Sequence, residues 1–144
     1  MFTLHPTLDA DTFTIGDFKL CVALLMNQSA LPWVILVPKR AGIREMYELG
    51  RADQEQALTE SMQVGASLMH EFRGDKLNTA ALGNMVPQLH LHHIVRYQHD
   101  TAWPNPAWGN LPDKAYTQIT SQQMLNRLRR LFKESCDEFV EASS

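Results

Sequence analysis

The sequence is short of cysteine, of clustered basic charge and of long apolar runs, and each shortage removes a class of protein. Cys21 and Cys136 are its only cysteines, distant and outside any C-x-x-C spacing, so neither a disulfide framework nor a zinc knuckle is indicated. No basic run exceeds Lys39-Arg40 or Arg129-Arg130, and the formal net charge is -3. A nucleic-acid binder neutralises phosphates with a basic face, so no nucleic-acid partner is expected. No apolar run approaches the ~20 residues of a membrane span. The N-terminus, M-F-T-L-H-P-T-L-D-A, lacks the positive and apolar regions of a signal peptide. No repeat, linker or low-complexity tract is visible. These absences predict a cytoplasmic protein without a membrane partner, built as one domain over residues 1–144. What is present is ordinary: 44% hydrophobic and 20% charged residues in a chain long enough to bury a core.

The stretch from Asn78 to Arg96 organises the rest. Within it, Gln88-Leu89-His90-Leu91-His92 alternates polar and apolar residues. In a strand that period puts Gln88, His90 and His92 on one face and both leucines on the other. A solvated polar strand has the same spacing, but two imidazoles and an amide in one row also make a ligand site.

The remaining pattern predicts an α+β fold. Residues 12–26 read as two strands with a hairpin at Gly16-Asp17, and 27–32 as a turn-rich loop. Trp33–Val37 reads as a buried strand closed by Pro38, completing a meander. Ile43–Leu49 is a short turn ended by Gly50. Asp53, with Gln56 three residues on, predicts the cap of a long helix whose core stripe is Leu58, Met62, Gly65, Met69 and Phe72. His70 falls beside that stripe, and Gly74 supplies the stop. Strands over Leu77–Leu82 and Gln88–Tyr97 follow, joined around Gly83-Asn84. The expectation is a five-stranded, mostly antiparallel sheet covered by the long helix. A proline-punctuated loop, Thr101–Gly109, carries Trp103 and Trp108. A last helix begins at Thr120, with Gln123 cap-like and Met124, Leu128, Leu131, Cys136 and Phe139 near helical spacing. The terminal E-A-S-S should fray.

The segment G-N-M-V-P-Q-L-H-L-H-H-I-V-R resembles the signature strand of the histidine-triad (HIT) family of nucleotide hydrolases and transferases, whose motif is His-φ-His-φ-His-φ-φ with φ apolar. His90 and His92 match the second and third histidines, and Leu89, Leu91 and Ile94 match apolar positions. The departures are Gln88 at the first histidine and His93 at an apolar position. The resemblance covers about residues 12–100, with the 101–144 loop and helix outside it, and implies a HIT-like fold. It implies attack of His90 on the α-phosphate of a dinucleoside polyphosphate or nucleoside phosphoramidate, giving a nucleotidyl-histidine. His92 would hold the scissile region or assist the leaving group, and Gln88 would steer or bind phosphate without carrying a proton. By the same resemblance Asn27 falls at a ribose-contacting position, and Asn78 and Asn84 at phosphate-contacting ones. It implies a homodimer and no cofactor.

Elementary chemistry agrees with the nucleophile: a neutral imidazole attacks phosphorus without first losing a proton and later leaves readily. The other nitrogen of His90 should then donate to a carbonyl, fixing the tautomer. Trp33 replaces a further histidine that many relatives carry behind the triad, as an apolar wall or as core. His93 should face the helix or a partner subunit. The Trp103/Trp108 loop either covers the site or packs on the sheet. Two rival readings remain. One is a metal site using the His90-x-His92 pair with His99 or Asp100, although no glutamate follows the pair as in cupin-type sites. The other is a nucleotide-binding protein without turnover, because Gln88 interrupts the triad.

Overall fold

The computed structural model describes residues 1–143. Its elements are α1 (Pro6–Asp11), β1 (Thr12–Asp17), β2 (Cys21–Met26), β3 (Trp33–Pro38), a 3-10 turn (Met46–Glu48), α2 (Arg51–Phe72), β4 (Lys76–Ala80), β5 (Leu91–Arg96), α3 (Gln118–Ser135) and β6 (Val140–Glu141). The strands form one antiparallel sheet in the order β4-β5-β3-β2-β1-β6. The expected five strands are there, and the two-residue β6 adds a sixth against Gly16 and Asp17.

Alternation along the central strands divides two apolar clusters between the sheet's faces. On one face, Ala23, Leu25, Val34, Leu36, Leu91 and Val95 pack with Ala57, Val64 and Leu68 of α2 and Leu125, Leu128 and Phe132 of α3. On the other, Val22, Leu24, Trp33, Ile35, Val37 and Ile94 pack with Leu8 of α1 and Ala107 of the long loop. The second face carries the site, and it is covered by the six-residue α1 and by irregular segments rather than by a long helix.

Several local expectations shift. The β1–β2 turn lies at Phe18–Leu20, not at Gly16-Asp17. Gly16 instead follows a bulge inside β1, where an added Cβ would lie 2.4 Å from the Val140 carbonyl oxygen. The turn is held by Glu60, a buried α2 carboxylate that accepts from Leu20 N at 2.9 Å and Cys21 N at 2.8 Å. The α2 cap is Gly50, and the helix stops at Arg73 in the left-handed region (φ 51°) rather than at Gly74. The expected α2 stripe holds at Gly65, Met69 and Phe72 and fails over the first half of the helix. Leu58 and Met62 are 57% and 53% exposed, and the buried face is Ala57, Glu60, Ser61, Val64, Gly65, Ser67 and Leu68. Small residues let the helix approach the sheet closely, an advantage that a hydrophobicity pattern does not register. The α3 cap is Thr117, whose hydroxyl accepts from Thr120 N at 3.0 Å. Of the terminal E-A-S-S, Glu141 pairs in β6, and Ser144 lies outside the described residues.

Candidate active site

The site forms where β5 enters the sheet. His92 sits opposite Ile35 of β3, and His90 lies just before the strand begins, on the same face. Both rings are buried, with centroids 4.9 Å apart in an edge arrangement. They line a cavity of about 310 Å³ with Thr7, Leu8 and Asp11 of α1, Met26 and Ile35 of the sheet, Leu82–Val86 of the β4–β5 connection, and Trp108. The walls are mostly apolar with a few converging polar groups, the usual make-up of a small-molecule site.

The hydrogen bonds fix the state of each ring. His90 Nδ1 lies 2.7 Å from the Gln88 carbonyl oxygen. A carbonyl only accepts, so Nδ1 carries a proton, and Nε2 has no hydrogen-bond partner among the described residues. For His92 the polarity is reversed. The Trp33 indole Nε1–H, which can only donate, lies 3.0 Å from His92 Nδ1, so the His92 proton is on Nε2. Burial, followed by the neighbouring His90 and His93, pushes the His92 pKa down to about 3. His93 points the other way, into the α2 face. Its Nδ1 donates to the Val34 carbonyl at 3.3 Å, and its Nε2 accepts from Ser61 Oγ at 2.7 Å.

The other sequence-derived candidates separate. Asn84 lines the cavity. Gln88 lies beside His90 in a neighbouring shallow cleft, and both its amide atoms serve the N-terminal segment: Oε1 accepts from His5 N at 2.8 Å and Nε2 donates to Thr3 O at 2.9 Å. Asn27 is exposed at the end of β2, where its Oδ1 accepts from Tyr116 N at 2.9 Å. Asn78 accepts from Arg96 Nη1 at 3.0 Å and faces a separate cleft beside Pro104, Pro106 and Trp108. Sequence reasoning missed Thr7, Leu8 and Asp11. Pro6 at the first helical turn after His5 was their one available signal.

The long loop covers the site, and a buried ion pair sets its course. Arg96 Nε and Nη2 each bind an Asp100 oxygen at 3.0 Å, and Asp100 also accepts from the backbone N–H of Tyr97, Ala102 and Trp103. The arginine holds the Asp100 pKa down at about 2. The loop then lays Trp108 edge-on to His92 at 5.0 Å and to Trp33 at 5.5 Å, while Trp103 lies 5.9 Å from the Arg96 guanidinium. With both Asp100 oxygens committed in this way, that side chain is not free to join the His90–His92 pair on a metal. Among the described residues, no three His, Cys, Asp or Glu side chains gather as a metal set.

The comparisons with known proteins agree on the family. The HIT domain family model matches residues 7–99. A histidine triad protein from Marinobacter aquaeolei is 51% identical, with TM-score 0.90, covering 94% of this chain and 99% of that one. A histidine triad protein from Bradyrhizobium japonicum is 41% identical, with TM-score 0.86 and coverage of 90% and 96%. One from Sinorhizobium meliloti is 38% identical, with TM-score 0.87 and the same coverages. No curated protein matches the chain. The family model spans well over half of the chain and these neighbours share its fold from end to end, so the chain belongs to the histidine-triad family.

Proposed function

We propose that the protein is a nucleotide hydrolase or nucleotidyl transferase acting at the α-phosphate of a nucleotide conjugate, a dinucleoside polyphosphate or a nucleoside phosphoramidate, through a nucleotidyl-histidine on His90. The observation that carries this reading is the 2.7 Å contact from His90 Nδ1 to the Gln88 carbonyl. With its proton held at Nδ1, the neutral ring has its lone pair on Nε2, a nucleophile that needs no base to activate it. The His90 Nε2–phosphorus bond forms as the leaving group departs with its electron pair. Water then attacks phosphorus, the N–P bond breaks with its pair returning to Nε2, and the proton that the water loses passes to solvent. The Nδ1–H bond to the carbonyl persists and stabilises the charged phosphorylated ring. Leu8, Met26, Ile35 and Val86 give an apolar surface for a base or sugar, and Asn84 a donor for phosphate.

Incubation with adenylated compounds, acid-free quenching and intact-mass spectrometry test the reading. One nucleotidyl group per chain is expected on wild type, and none on His90→Ala or His90→Asn, with turnover lost in step. Full hydrolysis by His90→Ala would overturn it. A nucleotide bound tightly without any covalent mass or turnover would favour a non-catalytic binding protein instead.

A further inference from the structure

We propose that Trp33 makes His92 a hydrogen-bond donor that keeps its proton, so that this site serves leaving groups that depart as stable anions rather than groups that must be handed a proton. The inference rests on the nucleophile reading above for its kinetic half and stands on geometry alone for the other half.

An imidazole acts as an acid in one of two ways. As imidazolium it gives up either proton. As a neutral ring it can relay, losing a proton from one nitrogen while gaining one at the other. Both routes need Nδ1 of His92 to be free to hold a proton. Here Nδ1 is occupied by the indole N–H of Trp33, at 3.0 Å, in a buried contact. Indole is a donor only and does not give up its proton near neutral pH, so it offers Nδ1 a hydrogen bond but no proton. Nor can the indole be displaced cheaply. Trp33 is 3% exposed, its neighbours on β3 are equally buried, and Trp108 abuts both rings. Transfer of the Nε2 proton from the neutral ring would leave an imidazolate, which is inaccessible. The charged groups around His92 do not change this. His93 shares its strand and His90 lies just before it, Trp33 and Ile35 face it from β3, and Trp108 faces it from the loop. Among the described residues, Asp11 of α1 supplies the one carboxylate lining the cavity. Burial acts in the same direction as the indole, keeping the ring neutral to about pH 3.

What remains to His92 is an Nε2–H with no partner among the described residues, on the same cavity as the His90 lone pair. A fixed donor of that kind stabilises the charge that builds on a non-bridging phosphoryl oxygen. It does not neutralise a departing amine or alkoxide. The bond from phosphorus to the leaving group therefore breaks with both electrons on the leaving group and no proton from the protein. Phosphate, other acidic anions or acidic phenolates suit that step. Between the two conjugate types above, the anhydride is favoured over the phosphoramidate.

Two measurements test this on the full-length protein. In the first, nitrogen-15 NMR of histidine-labelled wild type reads the His92 tautomer. We expect one form, with the proton on Nε2 and a through-bond coupling from Trp33 Nε1–H to His92 Nδ1. A proton on Nδ1 would overturn the inference whatever the protein turns over. In the second, turnover is followed across aryl esters of adenosine 5′-monophosphate with phenols of graded acidity. Wild type should slow steeply as the phenol becomes less acidic. His92→Ala should slow all members by about the same factor, ~100- to 1,000-fold, as loss of one oxyanion donor does. Trp33→His, which can return a ring able to exchange protons, should flatten the dependence. A shallow dependence in wild type, or a His92→Ala defect confined to the least acidic phenols, would show proton delivery and defeat the proposal. If no ester turns over at all, the nucleophile reading fails while the NMR result still decides the role of Trp33.

Discussion

Position 88 shows how one substitution in a motif moves a residue to another task. A primary amide presents a donor and an acceptor side by side, and Gln88 uses both to hold the backbone at Thr3 and His5. That contact seats α1, which supplies Thr7, Leu8 and Asp11 to the cavity wall. Gln88→Ala is expected to lower turnover about 10- to 100-fold, equivalent to about 1.4 to 2.8 kcal/mol of transition-state stabilisation, and to raise amide exchange over residues 3–8. A histidine's nitrogens diverge, so Gln88→His should bring no gain. A rise in rate on that reversal would return position 88 to the chemistry. His93 gives a second expectation at this scale. Burial pushes its pKa from 6.5 to about 4. Between those values the unfolded chain takes up a proton that the folded chain refuses, so its contribution is intact above pH 6.5 and declines on acidification. The slope is up to about 1.4 kcal/mol per pH unit. Denaturant unfolding of wild type and His93→Gln at pH 7 and pH 5 checks this: the variant should lose part of the pH dependence, and equal slopes would show that His93 contributes none of it.

Among the elements, the segment after β5 depends most on a single contact. Arg96 is 2% exposed and spends its guanidinium on Asp100 and Asn78, while Asp100 gathers the N–H groups that begin the loop. Breaking such a pair leaves a buried charge without its partner. Asp100→Ala should therefore cost about 3 to 5 kcal/mol and release Trp108 from His92, which is read as a red shift of tryptophan emission. Asp100→Asn keeps a carbonyl acceptor for the backbone and should cost less. Equal stability of wild type and Asp100→Ala would mean that the loop is held by its aromatic packing alone. The pKa of Asp100 lies below that of an ordinary carboxylate, so this contribution persists at neutral pH and fades only as pH falls toward 2.

At the scale of the whole molecule, no helix among the described residues is long and apolar enough to cross a membrane. The sheet ends in two edge strands, β4 and the two-residue β6. Strand β4 pairs with β5 on one side only, and it is short, with Lys76 exposed, as edges that must not aggregate are built. The exposed Leu58 and Met62 of α2 are one helical turn apart and form a small apolar stripe. We expect a homodimer, checked by light scattering at micromolar concentration. A monomer there would remove the assembly and leave the site, which this chain supplies by itself, as described.

The sequence by itself determined the α+β order of elements and the opposite orientation of His92 and His93. Both follow from local alternation, which the backbone geometry of a strand or helix enforces without reference to anything distant. The strand expected from Gln88 begins only at Leu91, so His90 joins the row from just outside it. The sequence also determined that Gln88 carries no proton. What Gln88 holds instead was decided by a segment more than eighty residues away in the chain. The same is true of Trp33, which reads as wall or core in a β-branched run and becomes the partner of His92 only when β3 pairs with β5. The α2 face was misread for a related reason. A hydrophobicity pattern ranks Leu58 and Met62 above Ala57 and Ser61, but close approach to a sheet rewards small side chains, and that distance exists only in the packed molecule. Tautomers, ion pairs and cavity walls depend on groups brought together across the chain, so they belong to the tertiary structure.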